Sequence, residues 1–581
     1  MKRKTMKLTS LLLSMLLVLV PQTAMASKKE PPRTLEEKIQ RYEAVSPHYR
    51  FDEAAEITSK PDRKARFTRK DGIYMNPDAS VTNAATLMIT GDLMCQWRQQ
   101  EAAFKSDGSD FIDIEDMKVI KAEAQQKLNQ YRQELLESSQ QNLQQDSAQD
   151  SSRQVPEALA EAQSDSTEDE DTMESGSEED EMVPAVPAVP GASSLSIPAL
   201  DFGVIAQPAG QWDFDESFQY VRKILRRGDL VIGNLETMLS QSSPLTMQCR
   251  TLESKPYLNS PVEFLDAIDY AGYDLLTLAN NHNCDVGVRG LLETLENIDN
   301  YHFMRTGMFA SEEEDRYLIV DVNGIKIGIV AYAAYFNTKD DNFTDEGQEV
   351  LLNRFFTDKA RTDIRAAKKA GAEFVIAFMH WGKENTHETT YTQERYAYNV
   401  AKAGADYIVG SHPHALQPYD IIEVPGGREV PVIYSMGNFL SCMGKDINND
   451  TQILQLNLVK DDSGQVSVTS HRLYPCTIMP DLEITSSSGS VRTDSYVVTP
   501  HSEKYGPGLS LSGKSSASRD DIQYLSDSLT RIMEVNGGRM ILNLPYDPYG
   551  LTWEIDSEDQ KIQIQDYVLG RFQWVLANRT V

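Results

Sequence analysis

The sequence predicts an α/β domain with buried parallel strands, on three observations. Seven short apolar runs recur along the chain, segments of helical length separate many of them, and side chains able to bind a metal or transfer a proton follow six of the runs. Continuous apolar runs are typical of strands buried on both faces, and active residues commonly lie at the carboxyl ends of such strands. The runs cover residues 86–89, 230–232, 275–278, 325–331, 374–379, 407–409 and 432–434, of which only 325–331 lacks an evident ligand.

The segments between the runs predict helices, because their apolar residues recur at helical spacing. These helices are predicted over 218–225, 261–271, 287–300, 355–370 and 393–403. Asp285 is expected to cap the helix over 287–300. Repeated alternation of helix and strand is typical of an α/β domain. After about residue 450 the pattern changes, and alternating residues at 453–458 and 466–470 predict an antiparallel edge.

Composition along the chain predicts the domain boundaries. A basic start, an apolar stretch at 8–20 and the small residues Ala24-Met25-Ala26 predict a signal peptide over 1–26, with an uncleaved anchor as the alternative. Polar residues 27–84, with an amphipathic stretch at 35–42, predict an amino-terminal extension. The remaining segments are a core domain over 85–98 and 203–475, an insertion over 99–202, and a carboxyl-terminal accessory region over 476–581.

The insertion is predicted to be helical and then disordered. Residues 114–140 suit a helix, because Leu128, Tyr131 and Leu135 share one face. Between Asp146 and Glu181 there are 14 acidic residues against one basic residue, and an extended proline-rich spacer follows at 183–190. A solvated tether is the expected role of such an acidic segment, and weak gathering of calcium or magnesium is the alternative.

Charge and cysteine content narrow the class of protein. The net charge of −31, with no basic face to offset it, argues against nucleic acid as a partner. The five cysteines have no regular spacing and form no C-x-x-C pair, so neither a disulfide framework nor a cysteine metal site is predicted. Cys95 and Cys284 are expected to be small buried apolar residues.

The polar residues at the strand ends predict a shared site. Carboxylate, amide and imidazole groups together suit divalent ions, and two such ions can activate a bridging water and bind a phosphoryl group. Four of the nine histidines lie at these strand ends. Taken singly, each residue also has a structural explanation, such as a turn or a helix cap. The clusters are Gly91-Asp92, Gly233-Asn234-Leu235-Glu236, Asn280-Asn281-His282-Asn283-Cys284-Asp285, His380-Trp381-Gly382-Lys383-Glu384 and Gly410-Ser411-His412-Pro413-His414.

Two local geometries are expected within these clusters. The glycines that precede the ligands would let the backbone turn sharply at each strand end. In His412-Pro413-His414, an extended backbone would point both imidazoles in the same direction, and the central proline would stiffen that arrangement.

The motifs resemble those of the bacterial CapA family of capsule or poly-γ-glutamate synthesis proteins, whose fold is similar to that of calcineurin-like metallophosphoesterases. The likeness covers about 85–98 and 203–445. Besides the clusters above, it includes Thr86-Leu87-Met88-Ile89-Thr90, Gly404-Ala405-Asp406 and Tyr434-Ser435-Met436-Gly437-Asn438-Phe439. The resemblance implies a two-layer β-sandwich flanked by helices.

The resemblance also implies roles for individual residues. His282 would be a general acid oriented by Asp285, and Glu384 a carboxylate close to the site. Phosphoesterases of this kind begin with Asp-x-His, whereas this chain has Asp92-Leu93-Met94. Met94 cannot replace a histidine as a ligand for a hard ion. The implied metal ligands are Asp92, Glu236, Asn281, His380, His412 and His414.

Three functions therefore remain open at the level of sequence. The first is an extracytoplasmic protein of capsule or poly-γ-glutamate assembly, whose partners would be an anionic polymer or envelope component and membrane-bound synthesis machinery. The second is a secreted metal-dependent hydrolase of phosphoester type, which would use manganese, magnesium, zinc or iron. The third is a cell-surface binding module in which the site is only structural.

Overall fold

The computed structural model describes residues 33–44, 63–106, 207, 210–249, 257–337, 339–480, 483–486, 489–492, 495–501, 519–536, 541–542 and 553–554. The predicted signal peptide, the helix over 114–140, the acidic run and the proline-rich spacer lie outside these residues.

The described residues form two large mixed sheets. In one sheet the spatial order is β1 (Thr68–Lys70), β2 (Ile73–Met75), β9 (Leu318–Val322), β10 (Ile325–Ala333), β11 (Phe374–His380), β12 (Tyr407–Ser411), β14 (Arg428–Met436) and β13 (Leu416–Val424). In the other the order is β22 (Trp553–Glu554), β21 (Ile541–Leu542), β17 (Val466–Met479), β16 (Asp450–Lys460), β3 (Ala84–Leu93), β6 (Leu230–Leu235), β7 (Leu275–Thr277) and β8 (Met304–Thr306). β15 (Asn438–Leu440) pairs with β3, and β20 (Val497–Pro500) pairs with β17.

All seven predicted runs lie in strands, and each sheet has a parallel centre. β10, β11, β12 and β14 are parallel neighbours in the first sheet. β3, β6, β7 and β8 are parallel neighbours in the second. The predicted antiparallel edge is also present, because β16 pairs antiparallel with β17 and with β3. The carboxyl ends of these parallel strands therefore lie together at one edge of each sheet.

The two sheets share one hydrophobic core. On β10, Ile325, Ile327 and Ile329 belong to the same buried cluster as Leu87 of β3 and Leu456 of β16. The alternate residues of the first sheet face away from the second sheet. There they pack under the helices Thr357–Lys369 and Tyr391–Ala403 in a second buried cluster. Because side chains of a strand alternate between the two faces, this sheet is buried on both. The predicted α/β class, with sheets flanked by helices, is confirmed.

The helices largely follow the predicted pattern. Gly287–Asn300 has the predicted bounds, whereas the segment around Phe218 forms two short pieces. The predicted cap is wrong, because Val286 occupies the N-cap position and makes no side-chain cap bond. The described α-helices are Leu35–Tyr42, Trp97–Ala103, Arg222–Leu225, Thr246–Cys249, Phe264–Ala271, Gly287–Asn300, Asp345–Leu351, Thr357–Lys369, Tyr391–Ala403, Asp446–Asn449 and Arg519–Val535, and the 3₁₀ helices are Asp215–Phe218 and Asp340–Asn342. None of the helices in the described ranges has the length and apolar character needed to cross a membrane.

The regions predicted as extension, insertion and accessory unit all contribute to this architecture where they are described. β1 and β2 form a hairpin that adds to the edge of the first sheet through β9. β4 (Phe104–Ser106), near the start of the predicted insertion, pairs with β5 (Gly210–Trp212), which follows the insertion in the sequence. Leu525, Leu529 and Met533 of the last helix belong to the main core cluster. Another short hairpin joins β18 (Glu483–Ser486) to β19 (Gly489–Arg492).

Candidate metal centre

The structure brings the six predicted metal ligands together at the carboxyl ends of the parallel strands. The side chains of these residues are buried, although they come from segments more than 300 positions apart. Oδ2 of Asp92 lies 3.7 Å from Nδ1 of His414. These two residues are the first and the last of the predicted ligands in the sequence. The cluster contains Asp92, Glu236, Asn281, His380, His412 and His414.

Glu236 lies at the centre of this cluster. Its Oε1 is 3.5 Å from Nε2 of His380, 3.9 Å from Nε2 of His414 and 4.0 Å from Nε2 of His282. Both carboxylate oxygens are buried, and neither has a hydrogen-bond partner among the described residues. A buried polar group without a partner is costly, and a bound cation would supply the missing partner.

The ligands fall into two groups that share Glu236. We call Asn281, His380 and His412 the amide group, and Asp92 and His414 the carboxylate group; Glu236 completes both. Nε2 of His380 is 2.8 Å from Oδ1 of Asn281 and 3.1 Å from Nδ1 of His412. In each completed group, the histidine and carboxylate ligand atoms lie within 4.8 Å of one another. Each completed group would suit a divalent cation, with Glu236 available to both, and a third group of Glu384, His412 and His414 overlaps them.

Each histidine of the site has its outer nitrogen engaged by a neighbour. Nδ1 of His282 is 2.7 Å from Oδ2 of Asp285, Nδ1 of His380 is 2.9 Å from Oγ of Ser411, and Nδ1 of His414 is 2.9 Å from Oδ1 of Asn438. Nε2 of His412 contacts the hydroxyl of Tyr335. Such contacts fix ring orientation and leave the second nitrogen directed into the cluster.

Burial disfavours the charged form of every group whose pKa is displaced here. Burial raises the pKa of Glu236 well above its usual range, and the nearby Asp92 raises it further. Burial also raises the pKa of Asp92, against the opposing effect of His414. The pKa values of His380 and His412 are lowered well below the usual range by burial and by the neighbouring histidines. Burial thus favours the neutral imidazole of His380 and His412, which is the form that binds a divalent cation, whereas Glu236 and Asp92 would release protons when a cation binds.

The glycines before the ligands are needed for close backbone approach, so the predicted sharp turns are wrong. A Cβ atom on Gly91 would lie 1.9 Å from the carbonyl oxygen of Gly437, and one on Gly410 would lie 1.9 Å from that of Tyr434. Neither residue has a positive φ, since both lie within strands. Glycine here lets neighbouring backbones approach closely beneath the site.

The expected extended geometry of His412-Pro413-His414 is also wrong. Strand β12 ends at Ser411, and φ is 94° at His412 and 54° at His414. Non-glycine residues seldom adopt such values, which cost about 1–3 kcal/mol each and concentrate at functional sites. The two rings nevertheless remain close, with centroids 5.5 Å apart.

The three predicted catalytic residues occupy different positions. His282 and Asp285 are buried, and Asp285 also accepts a hydrogen bond from the backbone of Leu258, which explains why it does not cap the following helix. The side chain of Glu384 is 46% exposed, and its Oε1 is 3.9 Å from Nε2 of His412. Glu384 therefore lies at the mouth of the site. Met94, at the position where the resemblance to phosphoesterases implies a histidine, is buried.

The sequence prediction missed the residues that follow β10. Tyr335 contacts His412, and Oδ1 of Asn337 accepts a hydrogen bond of 3.0 Å from Nδ2 of Asn281. Nζ of Lys339 is 3.2 Å from Oδ1 of Asp285. The run 325–331 therefore does lead into the site, like the other six. Its position as a parallel strand was the available signal, but no carboxylate or imidazole follows this run closely.

Fold and site together define an α/β protein with a buried carboxylate–imidazole centre suited to divalent cations. The family model for the bacterial capsule synthesis protein PGA_cap matches residues 86–443, which is more than half of the chain. The chain belongs to this family, and the predicted membership is confirmed.

The chain is also similar to two named CapA proteins. It is 30% identical over 278 residues to the PGA biosynthesis protein CapA of Bacillus subtilis (strain 168), covering 46% of this chain and 67% of the relative. It is 26% identical over 255 residues to the capsule biosynthesis protein CapA of Bacillus anthracis, covering 44% of this chain and 60% of the relative. The aligned segments thus span only part of each relative.

Solved structures that the chain resembles include a nucleotidase and a calcineurin-like phosphoesterase. Haemophilus influenzae NAD nucleotidase (NadN) aligns with 62% of this chain and 61% of its own, at 14% identity and a TM-score of 0.32. The calcineurin-like phosphoesterase YfkN from Bacillus subtilis aligns with 46% of this chain and 84% of its own, at 17% identity and a TM-score of 0.29. Superpositions this loose carry no argument about activity.

Proposed function

We propose that this PGA_cap family protein works outside the cytoplasm in capsule or poly-γ-glutamate biosynthesis, and that it uses a divalent-metal centre to act on an anionic polymer or its precursor. The observation that carries the proposal is Glu236. Its carboxylate is buried, unpaired within the described chain and within 4.0 Å of three imidazole nitrogens. A structural role alone would leave both oxygens of this buried carboxyl group without a hydrogen-bond partner in the described chain, which is costly.

The residues present fit divalent cations. The amide group offers one amide oxygen and two imidazoles, the carboxylate group offers one carboxylate and one imidazole, and Glu236 is available to both. Manganese, magnesium, zinc and iron accept subsets of these donors. The methionine at position 94 leaves the carboxylate group one ligand poorer than in the related enzymes, so we expect its ion to bind more weakly.

The chain's own residues suggest how a bond would be cleaved. When bound, divalent ions supply an activated water and stabilise negative charge on a phosphoryl or similar group. His282 is placed to hold a proton for a leaving oxygen, because Asp285 holds its Nδ1 and leaves its Nε2 facing Glu236. Glu384, half-exposed at the mouth, is placed to contact substrate as it enters.

The expected partner and location are inferred from the named relatives and from the sequence, and not from the geometry of the metal centre. Both named relatives are described as proteins of capsule or PGA biosynthesis, which favours an anionic polymer or envelope component and membrane-bound synthesis machinery as partners. The basic and apolar start of the chain, followed by Ala24-Met25-Ala26, favours export by a signal sequence.

The proposal is tested with the purified full chain. Bound metal is measured first, and hydrolysis of a generic aryl phosphate is then assayed with manganese, magnesium or zinc. Retention of γ-linked glutamate polymer is measured in parallel. We expect Asp92→Ala and His412→Ala to abolish metal-dependent activity or metal-dependent polymer retention. His471→Ala, which alters a histidine outside the cluster, is the matched control and should retain both.

The outcomes separate the three functions. Hydrolysis lost in both ligand variants supports a hydrolytic role at this centre. A metal-loaded protein that retains polymer without hydrolysis supports assembly. A chain that binds neither metal nor polymer contradicts the proposal and leaves a binding module whose polar site is structural.

A further inference from the structure

The segment 334–337, which follows β10, contacts three of the predicted ligands, and all three belong to the amide group. The backbone N–H of Ala334 donates to the carbonyl of His380 at 2.8 Å, and that of Asn337 donates to the carbonyl of Asn281 at 3.2 Å. The side chains of Tyr335 and Asn337 contact His412 and Asn281. Among the described hydrogen bonds, none joins this segment to Asp92 or His414.

We infer that segment 334–337 orients the amide group alone, so that Tyr335 and Asn337 are positioning residues for one of two metal positions. This inference rests on the metal centre of the proposed function. It adds that Tyr335 and Asn337 affect one metal position and not the other, which the proposed function does not require.

Tyr335 acts through the ring of His412. Nδ1 of that ring faces Nε2 of His380 at 3.1 Å, and Nε2 points outward to the tyrosine hydroxyl. The same hydroxyl donates to the carbonyl of Gly382 at 3.1 Å. With its proton committed to Gly382, the hydroxyl oxygen accepts from a protonated Nε2. That tautomer leaves the lone pair of Nδ1 directed into the cluster.

Asn337 acts through the side-chain amide of Asn281. Nδ2 of Asn281 donates to Oδ1 of Asn337 at 3.0 Å, and this bond turns the opposite end of the amide inward. Oδ1 of Asn281 then lies 2.8 Å from Nε2 of His380. An amide rotated by half a turn would present N–H groups, which cannot bind a cation. Asn337 therefore selects the ligating face of Asn281.

The carboxylate group has separate supports. Nδ2 of Asn234, in β6, donates to Oδ1 of Asp92 at 2.7 Å. Oδ1 of Asn438, in β15, is 2.9 Å from Nδ1 of His414. Both asparagines belong to strands of the second sheet, whereas segment 334–337 extends from the first. Apart from the backbone N–H of His412, which donates to Oδ2 of Asp92 at 3.2 Å, the two ligand groups are thus oriented by different parts of the fold.

The test is a Mn²⁺ titration of the full chain, with ion stoichiometry and affinity measured by calorimetry and elemental analysis. We expect Tyr335→Phe and Asn337→Leu to weaken one class of ion by about 10–100-fold, which is typical for loss of such outer contacts. The other class should keep its affinity. Asn438→Ala should give the reciprocal result, weakening the class that the first two variants spare.

Two control variants separate orientation from general damage. The Asn337→Asp variant keeps an oxygen that accepts the hydrogen bond from Asn281. Its affinity for Mn²⁺ should therefore be closer to that of the unsubstituted chain than the affinity of Asn337→Leu is. Tyr407→Phe removes a different tyrosine–histidine contact, in which the Tyr407 hydroxyl is 3.2 Å from Nδ1 of His471. It should leave both ion classes unchanged.

The inference is overturned if Tyr335→Phe and Asn438→Ala weaken the same class of ion, or if neither changes any class. A chain that binds no Mn²⁺ before substitution overturns the proposed metal centre itself, and the inference with it. Loss confined to one class, with the reciprocal loss in Asn438→Ala, supports the inference.

Discussion

Two buried carboxylates in this protein differ in how their charge is compensated. Asp450 accepts hydrogen bonds from Nε and Nη2 of Arg531, at 2.6 and 2.8 Å. Glu236 is equally buried, yet both of its oxygens lack a hydrogen-bond partner among the described residues. Burial raises the pKa of both groups, but Arg531 opposes the rise at Asp450, whereas Asp92 reinforces it at Glu236.

The difference indicates which carboxylate is structural. The chain supplies the cation for Asp450, so that pair holds the last helix against the second sheet. Around Glu236 the described chain places imidazoles rather than an arginine or lysine, and we infer that a cation from solution compensates this carboxylate. The predictions below test this distinction, beginning with the largest expected effect.

Glu236→Gln should abolish high-affinity metal binding, because both ligand groups lose the carboxylate they share. We expect at least about a 1,000-fold loss of affinity, equivalent to about 4 kcal/mol. The metal-free variant should be about as stable as the metal-free parent, since glutamine replaces a buried carboxyl group of nearly the same shape that has no hydrogen-bond partner among the described residues. Calorimetric titration and thermal unfolding with a chelator measure the two effects. Retention of tight binding would contradict the assignment of Glu236.

Arg531→Met should lower the free energy of unfolding by about 3–5 kcal/mol, because it leaves Asp450 buried without its partner. The loss should be the same with and without a chelator, as the pair lies outside the metal centre. Denaturant unfolding measures it. Adding Asp450→Asn to this variant should restore part of the stability. A loss of stability that depends on the chelator would show that the Asp450–Arg531 pair and the metal centre are not independent.

Removal of metal should destabilise the unsubstituted chain but not Glu236→Gln. An ion present at about 100 times its Kd contributes about 2.7 kcal/mol to the folded state. Thermal unfolding in manganese and in excess chelator should therefore give different Tm values for the parent chain and equal values for the variant. Equal Tm values for the parent chain would argue against a bound ion.

A smaller effect is expected at His501, a buried histidine outside the centre. Its Nε2 is 2.8 Å from Oγ1 of Thr477, and burial lowers its pKa from 6.5 to about 3. Between those values the unfolded chain binds a proton that the folded chain does not, so the free energy of unfolding falls as pH falls through this window. At pH 5 we expect a loss of about 2 kcal/mol from this residue.

His501→Gln is the variant that tests this assignment. Its stability should depend less on pH between 6.5 and 5 than that of the unsubstituted chain, as measured by denaturant unfolding at several pH values. Identical pH dependence in both chains would show that His501 does not contribute.

Much of the centre could be predicted from the sequence because a simple rule applies. The carboxyl ends of parallel strands meet at one edge, so the residues after β3, β6, β7, β11 and β12 converge. The rule predicted that Asp92 and His414 meet although 322 positions separate them, and they lie 3.7 Å apart. The same rule applied to β10 would have located Tyr335 and Asn337.

Other features depend on contacts that a local pattern does not contain. The positive φ values of His412 and His414 arise where the chain leaves β12. The close approach of Gly91 to Gly437 requires a strand pairing between distant segments. Asp285 looks like a helix cap in sequence, yet its partners are His282 and the backbone of Leu258. In each case tertiary contacts override the local preference.

The most direct test of the account is an anomalous diffraction measurement at the zinc edge on crystals of the zinc-equilibrated protein. The account predicts a zinc ion about 2.0–2.2 Å from an oxygen of Glu236, with ligands from the amide group around it. A fully loaded crystal with no zinc near Glu236, and with that carboxylate paired to a side chain or water instead, would contradict it.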